Sequence, residues 1–351
     1  VGSEMCIRDS GKASTTLPKA ADYQKPTGKS NAKVTDFVLT ETPEGFHYAF
    51  NAAGTDYMLL YWRSKEQTVT QPVYPDENGH YEGDVISELT FARTQFTVQV
   101  KSGSGSMKKE ATVRKGYQAP EAPQRQEGRL SGVTVCIDAG HQENGRFVNE
   151  PIGPGLTGST SGKGGMAQGT KTNRRESIVC LEIGMLLRDE LLRQGANVIM
   201  TREDQTTFHT NIERCEIAEA GGAQIMLRLH CNNSSNRSKR GIQVYGPLNS
   251  DYAKAVADAD TYREMGQKLL DAMKTRVGMT LANSTGMVRL NDNYVGNNWA
   301  KMMCFLVEMG YLSNPAEEYL LVTPVYQQWL AEGMVDGVYE IAVARGWVQA
   351  Q

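Results

Sequence analysis

The chain has 351 residues, enough for two ordinary domains with sizeable cores. Its 37 Lys and Arg against 40 Asp and Glu leave a formal net charge of -3, which gives no electrostatic footing for nucleic acid or an anionic membrane surface. No apolar run reaches the roughly 20 residues that cross a bilayer, so no membrane span is expected.

Residues 1–31 show no periodicity and predict a leader without regular structure. Within it, residues 1–10 (VGSEMCIRDS) fit neither a signal peptide nor a strand and read as non-native; no signal peptide is visible. Of the six cysteines, Cys6 lies in this leader. The odd remainder, Cys136, Cys180, Cys215, Cys231 and Cys304, sits in apolar strand-like or helical runs, so buried free thiols are expected rather than a disulfide framework.

Between residues 32 and 116 the chain alternates in short runs at 34–40, 46–50, 57–63, 80–86, 95–101 and 110–114. Turn-formers separate them: Pro43-Glu44-Gly45, Asp76-Glu77-Asn78-Gly79 and Gly103-Ser104-Gly105. Short strands at this spacing predict a small all-β sandwich of immunoglobulin or fibronectin type. His47 and His80 fall within it and are given no role. Residues 117–128, with Pro120 and Pro123, read as a linker.

From residue 129 to 351 strands and helices alternate. Strands are expected at 133–138, 197–201, 224–230, 241–245 and 302–308. A helix is expected over 176–193 with Gly195 as its stop, a second from the capping box Thr210-x-x-Glu213 to residue 220, and a third over 262–277. Asn314-Pro315-Ala316-Glu317 predicts a further helix start, with Asn at the cap and Pro at the first position, and 324–345 the last helix. The pattern is α/β, a mixed central sheet flanked by helices.

Three polar residues fall at the C-terminal ends of apolar strands: His141, His230 and Glu308. Ligands of open α/β sheets bind at that edge, and two His with a carboxylate suit a catalytic metal site. Glu176, after a glycine-rich loop, is the best candidate for a third ligand. That leaves Glu308 as general base. The bland alternatives are specific. Each His alone is more often structural, and Asn173-x-x-Glu176 is also what a capping box looks like. Glu308 is harder to explain away, since a carboxylate behind Cys-Phe-Leu-Val must be solvated or paired.

Asp138-Ala139-Gly140-His141, the Glu176-Ser177-Ile178-Val179-Cys180 segment, Leu229-His230-Cys231-Asn232-Asn233, and Glu308-Met309-Gly310-Tyr311-Leu312-Ser313-Asn314-Pro315 together resemble the zinc-dependent N-acetylmuramoyl-L-alanine amidases of the type 3 catalytic domain. The order and spacing agree over residues 132–346, and the last segment is the most specific. The resemblance implies one zinc ion (Zn2+) held by His141, Glu176 and His230, with Glu308 as catalytic acid and base. It implies peptidoglycan as substrate, cleavage between N-acetylmuramic acid and L-alanine, and action outside the cell, in the wall or periplasm. A monomer is expected.

Four departures stand out. Gln142-Glu143 follow the first His where glycines are usual, Cys180 replaces an Asn, and Cys231 replaces an Ala. Strand alternation should turn Cys231 away from His230 and out of the metal set. The loop 142–175 carries eight glycines and is expected to flank the substrate groove. Arg289, Asn298, Trp299 and Asn232 are candidates to line that groove. The rival readings are another zinc peptidase acting on stem peptides and a non-catalytic wall-binding protein.

Overall fold

The computed structural model describes residues 32–42, 45–53, 57–63, 68–86, 94–102, 107–115, 121–142, 148–160, 165–205, 207–278 and 287–350. The expected leader, Cys6 and the first part of the linker lie outside the described residues.

Seven strands make up the N-terminal region: β1 Val34–Thr42, β2 Gly45–Ala52, β3 Met58–Arg63, β4 Thr68–Val73, β5 His80–Ile86, β6 Thr94–Lys101 and β7 Met107–Lys115. All pair antiparallel, as a three-stranded sheet β1-β2-β5 and a four-stranded sheet β4-β3-β6-β7. The alternation seen in the sequence sends one face of β2, β3, β5 and β6 inward. Phe46, Phe50, Tyr81, Met58, Leu60, Trp62, Val98 and Val100 form one core, with Phe50 stacked on Tyr81 at 4.6 Å. β4 has no expected counterpart, because Thr68-Val69-Thr70-Gln71-Pro72 lacks a clear apolar alternation.

The second region contains β8 Thr134–Ala139, α1 Glu176–Arg193, β9 Asn197–Met200, α2 Asn211–Ala220, β10 Ile225–Asn232, β11 Gln243–Gly246, α3 Asp251–Val256, α4 Ala259–Val277, β12 Met287–Leu290, α5 Val295–Trp299, β13 Met303–Tyr311, α6 Glu317–Leu321 and α7 Pro324–Ala344. Its six strands run in the order β12-β11-β13-β10-β8-β9. Every neighbouring pair is parallel except β11 with β13, so the sheet is mixed, as expected. β8, β10 and β13 read as continuous apolar runs because both of their faces are covered. On one face α1, α4 and α7 bury Ile137, Leu227, Leu229, Val244, Phe305 and Val307. On the other, α2 and α5 cover a smaller cluster that includes Cys136, Cys215, Met226 and Cys304.

Several boundaries shift. β10 and β13 run past His230 and Glu308, to Asn232 and Tyr311, and their pairing becomes irregular between those points near Gly310, whose φ is +153°. The helix expected from Asn314 takes regular form only at Glu317. The Asn314 carboxamide oxygen still accepts the amides of Ala316 and Glu317, so the cap acts on a turn that precedes the helix. Residues 121–128 of the linker are tied to the end of α1, where Gln126 N donates to Leu192 O at 3.0 Å and the Arg125 guanidinium to Gly195 O at 3.0 Å. The five cysteines beyond the leader are free and buried. Burial pushes their thiols up, Cys215 to about 12, so none is an activated nucleophile.

Candidate metal and catalytic site

The turn after β8 places His141. Gly140 N closes onto Leu229 O at 2.9 Å, and His141 itself takes a left-handed φ of +58°. A non-glycine residue holds that conformation only where its surroundings fix it. Two buried arginines do so. Arg202 donates to the carbonyls of Ala139, Gly140 and Ser177 at 2.7, 2.9 and 2.6 Å. Arg214 donates to Ala139 O at 2.9 Å and His141 O at 3.1 Å, and also reaches the Gln142 side chain.

Beneath this turn lies Asp138, fully buried. It accepts from Arg214 at 2.5 Å, Arg228 at 2.9 Å and the Thr201 hydroxyl at 2.7 Å. Burial opposes its ionisation, but the two guanidinium charges and these hydrogen bonds outweigh burial and hold it far below the usual carboxylate range.

Glu176 opens α1 but does not cap it. The cap position is Arg175, Asn173 has a φ of +56°, and no side chain caps the helix, so the capping-box alternative is overturned. Instead the Glu176 carboxylate turns inward. Oε2 accepts from Ala167 N at 2.7 Å and Oε1 from Cys231 N at 3.0 Å. The same oxygens meet His141 Nε2 at 3.1 Å and His230 Nδ1 at 2.9 Å. Burial opposes ionisation here too, and the hydrogen bonds to the two rings overcome it, so Glu176 is an anion. Burial lowers the pKa of His230 against the pull of Glu176, which keeps it neutral and able to donate a lone pair.

One atom from each of these three residues lies within 4.8 Å of the others, the one such cluster among the described residues. His230 Nε2 is buried with no hydrogen-bond partner among the described residues. Two imidazoles and a carboxylate are a donor set that fits zinc. Cys231 stays out of it: its side chain joins the core on the α1 side of the sheet, as strand alternation requires.

Glu308 faces His230 across the β10–β13 register. Its Oε2 is buried without a hydrogen-bond partner among the described residues. Burial pushes its pKa well above the ordinary carboxylate range, and the charge of Glu176 pushes the same way. A buried carboxyl with a raised pKa therefore stands beside His230.

Of the groove candidates, Asn232 and Arg289 lie on this side of the molecule. Asn232 Nδ2 donates to Gln243 Oε1 at 3.1 Å, and Arg289 is exposed on β12. Asn298 and Trp299 are both engaged with the long loop. Asn298 is fully buried and donates to Ile152 O and Asp292 O, both at 2.9 Å, and Trp299 Nε1 donates to Pro151 O at 2.8 Å. A position just before an apolar strand resembles a groove rim, and nothing in the sequence announces the loop carbonyls that these two residues hold.

The loop 142–175 is pinned where it is described. Glu150 accepts from Asn211 N at 3.2 Å and Ile212 N at 2.8 Å, supplying an anion at the start of α2. Lys171 N donates to both carboxylate oxygens of Glu318, at 3.1 and 3.0 Å.

Glu317, next to Glu318, is also buried. It accepts Gly241 N and Tyr311 N, each at 2.8 Å, tying the segment after Glu308 to the approach to β11. Burial raises its pKa to about 7, against the lowering effect of those amides. A carboxyl with a raised folded-state pKa contributes stability below its unfolded pKa, near 4.5, and loses that contribution as pH rises to about 7. Stability should therefore fall by up to about 3 kcal/mol across that window from this group alone. Urea unfolding of wild type and Glu317→Gln at pH 5 and pH 8 measures it, and the variant should show the smaller difference.

The comparisons with known proteins follow the same residues. A family model described as N-acetylmuramoyl-L-alanine amidase matches residues 135–340, more than half of the chain. The germination-specific N-acetylmuramoyl-L-alanine amidase of Bacillus subtilis is 26% identical over 231 residues, 62% of this chain and 83% of that protein. The probable cell wall amidase LytH of Staphylococcus aureus is 27% identical over 218 residues, 61% of this chain, which thus spans about three-fifths (60%) of that relative's length. The crystal structure of the apo form of the N-acetylmuramyl-L-alanine amidase Ami1 from Mycobacterium abscessus shares the fold, with a TM-score of 0.54 at 20% identity, covering 60% of this chain and 99% of that one. With the matched span running from β8 into α7, and so across all four chemical residues, the chain belongs to the N-acetylmuramoyl-L-alanine amidase family.

Proposed function

We propose that this chain hydrolyses the amide between N-acetylmuramic acid and L-alanine in peptidoglycan, with zinc as its resident metal. The observation that carries the reading is the convergence of His141, Glu176 and His230 next to Glu308, whose buried Oε2 has no hydrogen-bond partner among the described residues. A zinc ion held by the three donors would supply Lewis-acid polarisation of the scissile carbonyl and acidify the attacking water. Glu308 removes a proton from that water as the C–O bond forms. The C–N bond then breaks, and Glu308 returns the proton to the nitrogen, which leaves as the amine of L-alanine. Asp138, Arg202 and Arg214 keep the His141 turn in place. The N-terminal strands fit an immunoglobulin- or fibronectin-type sandwich over 32–116 in their three-plus-four antiparallel arrangement, ahead of a catalytic domain over 129–351. No helix among the described residues is long and apolar enough to cross a membrane. Cell wall or periplasm is the compartment that fits the substrate.

Labelling newly formed amino termini on purified peptidoglycan tests the bond. Free N-terminal L-alanine is expected. Release of free D-alanine with no new L-alanine terminus would make the chain a carboxypeptidase instead.

The metal reading has its own test in Gly140. A Cβ there would sit 2.6 Å from His230 Cε1, 2.7 Å from Nε2 and 2.4 Å from Leu229 O. The backbone oxygen cannot swing away, so the turn and the His230 ring must separate. Gly140→Ala is expected to weaken zinc binding about 10- to 100-fold in competition with a chromophoric chelator, the range seen when ligand orientation is disturbed. Unchanged affinity would place the zinc elsewhere.

A further inference from the structure

The sheet carries a polar row that the hydrolytic step does not use. His230 pairs with Glu308, Glu308 with Gln243, and two residues along β11 from Gln243 Tyr245 pairs with Arg289. Directly paired residues, and residues two apart in a strand, project from the same face. Glu308, Gln243, Tyr245 and Arg289 therefore share the face that bears His230.

The row is built rather than incidental. The Tyr245 hydroxyl donates to Gln243 Oε1 at 2.6 Å, the oxygen that also accepts from Asn232 Nδ2 at 3.1 Å. The ring of Tyr294 meets that of Tyr245 edge-on at 5.1 Å, and the two hydroxyls are hydrogen-bonded. Glu308 stands at one end of the row and the guanidinium-bearing Arg289 at the other.

With ~4.8 Å between strands and ~3.4 Å per residue, about 12 Å of sheet separates the Cα atoms of Glu308 and Arg289. An extended peptide advances at most about 3.5 Å per residue. A peptide leaving from Glu308 thus brings its second or third residue within reach of the exposed Arg289 side chain. A guanidinium selects a carboxylate there over a neutral carboxamide through paired, charge-assisted hydrogen bonds.

We propose that Arg289 is a specificity residue that anchors a free carboxylate on the leaving peptide, with the buried Gln243 and Tyr245 fixing the spacing between it and Glu308. This rests on the amidase reading, and it narrows the substrate to stem peptides that keep an acidic group near the cleaved bond.

The test uses the full chain and two N-acetylmuramoyl tripeptides that differ only in a free carboxylate or a carboxamide at the second residue. Wild type should favour the carboxylate substrate in kcat/KM by about 10-fold or more, the scale of one hydrogen bond to a charged group. Arg289→Gln should remove that preference by losing rate on the carboxylate substrate alone, and Arg289→Lys should restore part of it. The preference should also narrow as salt is raised. Equal losses on both substrates in Arg289→Gln, or no preference in wild type, overturns the proposal. Titration of the two free tripeptides onto the same proteins by calorimetry separates the two readings. Carboxylate-selective binding that disappears in Arg289→Gln supports the subsite even where neither substrate is hydrolysed, a result that would sink the amidase reading alone. Equal binding of both peptides by wild type overturns the subsite whatever the hydrolysis shows.

Discussion

Glu308→Gln is expected to lower kcat by about 10²–10⁴, the usual contribution of a positioned general base, while KM and zinc content stay near wild type. The side chain keeps its volume and loses only its ability to carry the proton. It donates nothing to the His141, Glu176 and His230 cluster, so the metal should remain. Metal analysis beside steady-state kinetics on a soluble muropeptide checks both halves. A second consequence comes from the same burial. Wild type holds a carboxyl with one oxygen buried and unpartnered, its pKa raised by that burial and by Glu176. Metal-free protein carries this cost whenever Glu308 ionises. Metal-free Glu308→Gln should thus be at least as stable as metal-free wild type at pH 8, where the wild-type carboxyl is most strained. A variant that keeps more than a tenth of wild-type kcat would remove Glu308 from the proton transfer.

Asp138→Ala is expected to be the most damaging single change outside the cluster. It leaves Arg214 and Arg228, both almost fully buried, without their shared counter-ion. Stranding buried charge in this way costs about 3–5 kcal/mol. In a domain of some 220 residues that is a fall in Tm on the order of 10 °C. Asp138→Asn keeps an acceptor but loses the charge and should fall between Ala and wild type. The damage should reach the metal, because Arg214 also holds the carbonyl of His141 in its left-handed turn. Thermal unfolding and zinc competition should therefore move together along the series wild type, Asn, Ala. A stable Asp138→Ala with unchanged zinc affinity would show that the His141 turn holds itself.

Much of this site is legible in the amino-acid sequence. Apolar strands buried on both faces are easy to see, and the residue types that break them at one sheet edge are few. His141, His230 and Glu308 stand out for that reason. Glu176 is legible only as a candidate, since a glutamate at a helix start serves dipole and metal equally well. The direction of its side chain decides, and that depends on the Ala167 and Cys231 amides, the latter 55 residues away. The arginine network is not legible at all. Arg202, Arg214 and Arg228 look like ordinary polar positions in the chain, and only the sheet order brings them to Asp138 and the His141 turn. The contacts of Asn298 and Trp299 are equally hidden, since both hold carbonyls of a remote loop. Short elements such as β12 and α5, of four and five residues, carry too little periodicity to be recognised.

The most direct test of the central claim is mass spectrometry of a defined N-acetylmuramoyl tripeptide incubated with the purified full chain, after chelation and again after stoichiometric zinc. The account predicts intact substrate with the chelated protein. On adding zinc it predicts two products, N-acetylmuramic acid and a tripeptide whose amino terminus is L-alanine, the pair gaining the mass of one water. Cleavage at any other bond, or equal cleavage with and without zinc, would contradict it.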